Sequence, residues 1–225
     1  AMTNSTCGDP NGTATASPSG GTPGYTYQWG TNPVQTGATA TGLMAGLVQV
    51  TVTDANGCSS FGQIIVGNEP RPTLSLVSQQ NVFCFGGSNG QATVLASGGR
   101  PPYSYSWSNG QVGPTGTGFT AGTHYAFVSD LFGCRDTLAV VITEPTAVGG
   151  TVVVQNMGCN STVPDGTIGI LPTGGTPGYF YLWSTAPAQT SQMATGVGPG
   201  IYFVTVTDAN GCQFVTSDTV IQNPI

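Results

Sequence analysis

The sequence predicts an all-β protein made of three tandem two-sheet sandwich repeats, and three observations carry that reading. The stretch Val48–Cys58 (VQVTVTDANGC) returns as His124–Cys134 (HYAFVSDLFGC) and as Tyr202–Cys212 (YFVTVTDANGC). Within it Val48, Val50 and Val52 alternate with Gln49, Thr51 and Thr53, the period-two pattern of a half-buried strand. The 35 glycines and 16 prolines cluster as turn signals between short strand-like runs, and no stretch has helical periodicity, which argues for a sandwich over a mixed or helical fold. Self-similarity outranks length, so the 225 residues divide into three units rather than one large domain.

Repeat one spans residues 1–70, repeat two 71–145 and repeat three 146–225. The seams are Asn68-Glu-Pro70, Thr143-Glu-Pro145 and Gln222-Asn-Pro224, where proline cannot donate to a ladder and so ends the last strand. Each repeat has the same order. A first cysteine (Cys7, Cys84, Cys159) precedes a turn dipeptide, Asn11-Gly12, Asn89-Gly90 or Asp165-Gly166. A strand follows, clearest in Gln91–Ala96, then Gly-Gly-x-Pro at Gly20, Gly98 and Gly174. An aromatic strand comes next: Tyr25–Trp29, Tyr103–Trp107 and Tyr179–Trp183, with Tyr, Tyr and Trp on one face. A Gly/Thr-rich connection leads to the recurring strand, the Asp-x-x-Gly turn, the second cysteine and a final strand such as Asp136–Thr143. In the turn, Asp54 and Asn56 can bond their own backbone and Gly57 supplies positive φ. Trp29, Trp107 and Trp183 are expected to centre the three small cores, each indole N–H needing a partner. Linkers are almost absent, which favours a semi-rigid rod.

Composition excludes several functions. The chain has no lysine and three scattered arginines (Arg71, Arg100, Arg135), with net charge −6, so it cannot build the basic cluster that nucleic acid or an anionic membrane surface requires. No apolar run reaches the length of a membrane span, and no membrane insertion is expected. No signal peptide is visible at Ala1–Asn4, so the chain reads as a processed piece or fragment of a longer array. The six cysteines fall two per repeat without metal-type spacing, which points to disulfides and an oxidising, extracellular compartment.

The conjunction GG-x-P-x-Y-x-Y-x-W, then Ala/Pro-Gly, then VTVTDANGC, then Glu-Pro resembles the SprB repeat, a family named for a gliding-motility surface adhesin of Bacteroidota. The resemblance covers nearly the whole chain three times. It implies immunoglobulin-like (PKD-like) sandwiches, a secreted or cell-surface location by the type IX route, and adhesion or extracellular scaffolding. Repeat two departs from the pattern with Leu131-Phe132 in place of Ala-Asn. Repeat one departs at its start, because only six residues precede Cys7 while eleven separate the seam from Cys84 counted from Thr73. Its first strand is therefore expected to be short, or supplied by another chain.

Candidate sites are few. If every repeat stands alone, the disulfides are Cys7–Cys58, Cys84–Cys134 and Cys159–Cys212. The rival set pairs neighbouring repeats as Cys58–Cys84 and Cys134–Cys159, leaving Cys7 and Cys212 for other copies, and both stay open at this point. Asp54 and Asn56, with Asp208 and Asn210, offer oxygen ligands for calcium, against the simpler reading of turn chemistry. His124, the sole histidine, takes the inward position of Val48 and Tyr202 and reads as a core or strand-end side chain, since no second group completes a catalytic set. Tyr125, Phe127 and Phe203 should face outward, towards glycans or protein. Asp136-Thr137-Leu138 and Asp218-Thr219-Val220 resemble a Bacteroidota O-glycosylation motif, placing the modification at Thr137 and Thr219. Asn4, Asn11 and Asn160 fit the N-glycosylation sequon.

These readings converge on a non-enzymatic extracellular rod, structural or adhesive, with no cofactor, that assembles with copies of itself through strand edges or donated strands. Two other readings remain: a glycan-binding adhesin module, and the accessory stalk of a larger secreted enzyme.

Overall fold

A computed structural model describes residues 1–224. These contain twenty strands and no helix. In the first repeat the strands are β1 (Met2–Thr3), β2 (Ser5–Thr6), β3 (Gly12–Thr15), β4 (Thr26–Trp29), β5 (Thr39–Leu43), β6 (Gly46–Thr53), β7 (Ser59–Val66) and β8 (Asn68–Glu69). The second repeat has β9 (Pro72–Gln80), β10 (Gly90–Gly98), β11 (Ser104–Trp107), β12 (Thr115–Phe119), β13 (Gly122–Ser129) and β14 (Arg135–Ile142). The third has β15 (Gly149–Gln155), β16 (Gly166–Thr173), β17 (Phe180–Trp183), β18 (Met193–Val197), β19 (Gly200–Thr207) and β20 (Gln213–Val220).

The sheet orders repeat. They are β1-β3-β5 with β4-β6-β7, then β12-β10-β9 with β11-β13-β14, then β15-β16-β18 with β17-β19-β20. A parallel pair, β2 with β8, is added in the first repeat. Each repeat is thus an immunoglobulin-like sandwich of two small sheets, and the chain is all-β throughout. By packing it divides into two compact units: Ala1–Ser78, Thr93–Gly116 and His124–Val140 form one, and Gln79–Ala92, Thr117–Thr123 and Val141–Ile225 the other. The first unit takes in all of residues 1–70, the second all of 146–225, and segments of 71–145 fall in both.

The period-two pattern sets the cores. In the first unit Ala14, Ala40 and Leu43 from one sheet meet Trp29, Val48, Val50 and Val66 from the other. In the second, Ile168, Ile170, Ala194 and Val197 meet Trp183, Val204, Val206 and Val220. Trp29, Trp107 and Trp183 are at most 3% exposed. Each indole N–H donates to a loop carbonyl, of Gly37 (2.9 Å), Gly113 (3.1 Å) and Ser191 (2.9 Å) respectively, so the buried donor is not left unpaired.

The first strands differ. β15 pairs with seven residues of β16, whereas β1 pairs with only Ala14 and Thr13 of β3. Beside that open stretch lies a groove of about 530 Å³ lined by Ala14–Gly21 and Cys58–Ile64, among other residues.

Replacing Trp183 by Ala removes the largest side chain of its core together with its loop bond. The expected cost is roughly 3–5 kcal/mol, to be read as an earlier urea transition and reduced near-UV circular dichroism; an unchanged midpoint would show that this core does not hold the second unit.

Candidate functional site

The site is built from two features at opposite ends of a hairpin. In the first repeat β6 and β7 pair over their whole length, from Gly46↔Val66 to Thr53↔Ser59. The Asp54–Cys58 turn caps one end, which we call proximal, and the Gly67–Pro70 seam leaves from the other, distal end. Eight residues at ~3.3 Å each separate the two ends by roughly 25 Å. β19 and β20 repeat this arrangement between the Asp208–Cys212 turn and the Ile221 seam.

The first cysteine sits at the distal end. Ser5 and Thr6 pair in parallel with Asn68 and Glu69, and Cys7 N donates to Glu69 O at 2.9 Å. In the second unit Val82 N donates to Thr143 O, and Met157 is strapped by bonds to Ile221 and Asn223. The loop itself is closed the same way three times. The residue before the cysteine donates its N–H to a side-chain oxygen: Thr6 to Asn11 (2.7 Å), Phe83 to Asn89 (3.0 Å) and Gly158 to Asp165 (3.1 Å). The turn dipeptide's Asn or Asp is therefore the closing residue of the cysteine loop.

The second cysteine sits at the proximal end, on a turn organised by one carboxylate. Asp54 accepts N–H bonds from Asn56 and Cys58 on Oδ1 and from Thr22 on Oδ2. Asp130 accepts from Phe132, Cys134 and Arg100, and Asp208 from Asn210, Cys212 and Thr176, in the same pattern. The carboxylate thereby ties its own turn to the Gly-Gly-x-Pro loop. This explains the second glycine of that pair: Gly21, Gly99 and Gly175 have positive φ, and a Cβ there would lie 2.9, 2.7 and 2.7 Å from the carboxylate. The backbone donors at Thr22 and Cys58 lead in holding Asp54 below the usual carboxylate range, against some burial. At Asp208 burial is the largest influence and acts upward, but the donors at Thr176, Cys212, Asn210 and Gly211 together outweigh it, so its pKa is also lowered.

The disulfides join these two features across repeats. Cys7 bonds Cys134 within the first unit and Cys84 bonds Cys212 within the second, with Cα separations of 5.2 and 5.6 Å. Cys58 and Cys159 are free and exposed. The expected pairs Cys7–Cys58, Cys84–Cys134 and Cys159–Cys212 are not formed, nor are Cys58–Cys84 and Cys134–Cys159. The physical reason is the hairpin. A disulfide needs its Cα atoms within about 7 Å, while the two cysteines of one repeat are held at ends roughly 25 Å apart. The distal cysteine instead meets the proximal turn of the following repeat, because the seam that straps the cysteine loop runs directly into that repeat. Next to Arg71 O and Pro72 N lie Gly98 and Gly99, whose loop is bonded to Asp130.

Polar contacts flank each staple. Arg71 donates to Cys7 O (2.6 Å) and pairs with Asp9 (3.0 Å). In the second unit Asn210 Nδ2 donates to both Thr176 Oγ1 (2.9 Å) and Phe83 O (3.1 Å). The departure of repeat two is a matched exchange: where the other repeats pair Thr22 with Asn56 and Thr176 with Asn210, Arg100 stacks over the Phe132 ring at 5.7 Å. Sequence reasoning missed Arg71, Thr22, Thr176 and the space-making glycines; the recurrence of Gly-Gly was the available signal.

Asp54 and Asp208 already receive three backbone N–H donors each, which is turn chemistry, and the described residues form no group of three or more metal-ligating acidic, Cys or His side chains. Asn56 and Asn210 turn their amides towards Thr22 and Thr176. His124 is half-buried in β13. Tyr125, Phe127 and Phe203 are exposed, as are Thr137 and Thr219. Asn4 and Asn11 engage Glu69 and Thr6, and Asn160 is exposed.

The family model described as SprB repeat matches residues 1–34, 76–112 and 151–188. The chain carries SprB repeats. No curated protein matches it by sequence. Among solved structures it is similar to the three N-terminal domains of the bacteriophage RB49 outer capsid protein Hoc (16% identity, TM-score 0.41, all of both chains). It is also similar to a Ca2+-stabilised ice-binding adhesin of an Antarctic bacterium (16% identity, TM-score 0.40, 97% of this chain and 70% of that one). A third likeness is to the N-terminal eight immunoglobulin domains of Down syndrome cell adhesion molecule (10% identity, TM-score 0.41), where 88% of this chain spans 33% of that one.

Two outcomes are expected of this SprB array. Serine at both Cys7 and Cys134 opens a loop of sequence separation 127 and should lower stability by about 5 kcal/mol on the chain-entropy model, read by denaturant titration; no shift would mean the staple is dispensable. Because the folded pKa values of Asp54 and Asp208 are lowered, the stability they supply is present above the unfolded value and lost as pH falls through the folded one. The unfolding temperature should therefore drop below about pH 4, and Asp208→Ala should flatten that drop.

Proposed function

We propose that this SprB array is a non-enzymatic extracellular protein of a bacterial cell surface, structural or adhesive in role. The observation that carries the reading is the pair of disulfides joining successive repeats, which require an oxidising compartment. Low charge supports it too. A surface with three arginines and nine acidic residues makes contacts that salt scarcely alters. The finer form is a stapled rod, exported by the type IX route in a member of the Bacteroidota, that adds to copies of itself. The open edges of the three-stranded sheets suit strand addition in such an assembly. Protease shaving of intact cells should release the array, and thiol labelling in situ should leave Cys7, Cys84, Cys134 and Cys212 unmodified. Protection from protease, or labelling of those four, would sink the reading.

A second reading, glycan binding, is favoured by the exposed aromatics Tyr125, Phe127 and Phe203. It expects the purified protein to be retained by surface polysaccharide and the triple alanine variant of those positions to elute freely.

A further inference from the structure

We propose that the peptide bond between Arg135 and Asp136 is a cleavage site for a trypsin-like, arginine-specific serine protease, closed while Cys7–Cys134 is formed and opened when a small thiol reduces that disulfide. The chain has no lysine and three arginines, so such a protease meets three candidate bonds. Two of them are Arg71–Pro72 and Arg100–Pro101. Cleavage needs the catalytic imidazole to protonate the departing nitrogen. A proline nitrogen is closed into its ring and carries no N–H, so the ring crowds that imidazole and the bond resists enzymes of this class. Both guanidinium groups are engaged as well. Arg71 donates to Cys7 O (2.6 Å) and pairs with Asp9 (3.0 Å), and Arg100 lies over the Phe132 ring.

Arg135 differs on each count. It is exposed, it is followed by Asp136, and it stands directly after the second cysteine, where the other repeats carry Ser59 and Gln213. Its bond is guarded by what holds the residues on either side. Before it, Cys134 is 1% exposed and bonded to Cys7. The Cys134 N–H donates to Asp130 Oδ1 (2.9 Å), and its carbonyl accepts from Asp130 N (3.0 Å). After it, Asp136 Oδ2 accepts from Leu74 N at 2.7 Å, which ties the start of β14 to β9 of the other sheet. A serine protease grips its substrate as an extended segment, with several residues in the cleft on each side of the bond. A strand fixed on both sides of the bond must first be peeled away, and cleavage then follows the population of the opened form. β14 is the outer strand of the order β11-β13-β14, so no strand beyond it has to part. The staple is the one covalent tie at its start.

The two steps balance as follows. A small thiolate attacks the sulfur of Cys7, the less buried partner, and expels the Cys134 thiolate. A second thiolate attacks the reagent's sulfur in the mixed disulfide and frees Cys7, and the reagent leaves as its own disulfide. The protease then hydrolyses the amide. Water supplies the new carboxylate oxygen at Arg135, and the Asp136 nitrogen leaves protonated as a new amino terminus. The nick does not part the chain while the second staple stands, because Cys84 lies before the cut and Cys212 after it. Cleavage therefore loosens the joint between repeats one and two without releasing either fragment.

The test uses the full chain and its Cys7→Ser/Cys134→Ser variant. Each is incubated with trypsin, resolved with and without reductant, and its cleavage mapped by mass spectrometry. The variant should be cut after Arg135 on the order of a hundredfold faster than the unmodified protein. Its product should run as one species without reductant and as fragments 1–135 and 136–225 with it. A small thiol added to the unmodified protein should speed cleavage at the same bond. Chymotrypsin, which cuts beside the aromatic residues of the third repeat, reports whether the variant has simply unfolded: its cleavage within residues 146–225 should be unchanged. Equal trypsin rates for the two proteins, cleavage after Arg71 or Arg100, or a matching rise in chymotrypsin cleavage within residues 146–225 would each overturn the proposal.

Discussion

A hairpin of eight paired residues per strand stands between the two cysteines of the first repeat, and again in the third. Strand rise is fixed by backbone geometry, so that length cannot shrink to let the cysteines meet. The rest of the arrangement follows. A parallel pair of two residues straps the first cysteine to the distal seam, and a carboxylate with three N–H donors builds the turn that carries the second. Once the linkers are cut to a few residues, the distal cysteine of one repeat and the proximal turn of the next are brought together, and the disulfide forms between repeats.

That placement changes what the disulfides do for stability. A repeat of about 75 residues buries too little to be robust alone, and an internal bridge would strengthen each repeat separately. A bridge between repeats instead strengthens the joint, the nearest-neighbour interaction on which tandem arrays depend. The ion pairs at the first joint add little, because Arg71, Asp9 and Arg100 are all more than half exposed. The joint is therefore held chiefly by the covalent bond, with side-chain hydrogen bonds from Arg71 to Cys7 O and from Asn210 to Phe83 O beside it.

The strands, the turns and the tryptophan cores were legible in the sequence because each is a local signal: alternation in Val48–Thr53, Asn-Gly and Asp-x-x-Gly turns, and Trp on the inner face of a short aromatic strand. The cysteine pairing was not, because it depends on which end of the sandwich each loop occupies. The deciding strap is Ser5–Thr6 against Asn68–Glu69, two residues with no periodicity to reveal them. The assumption that each repeat stands alone supplied the wrong partner. The purpose of the glycine pair was hidden for a similar reason. Gly21 and Gly175 make room for the carboxylates of Asp54 and Asp208, more than thirty positions further along the chain.

Repeat two shows how far the units are interchangeable. Its turn carries Phe132 where the others carry asparagine, and its Gly-Gly loop carries Arg100 where the others carry threonine. The two changes answer each other, since the guanidinium covers the ring as the threonine hydroxyl accepts from the amide. The carboxylate, its three donors and the cysteine are untouched by the exchange. Variation is therefore absorbed beside the staple while its two halves keep one geometry. It is this constancy, more than the sequence of any one repeat, that lets the same joint form twice along the chain.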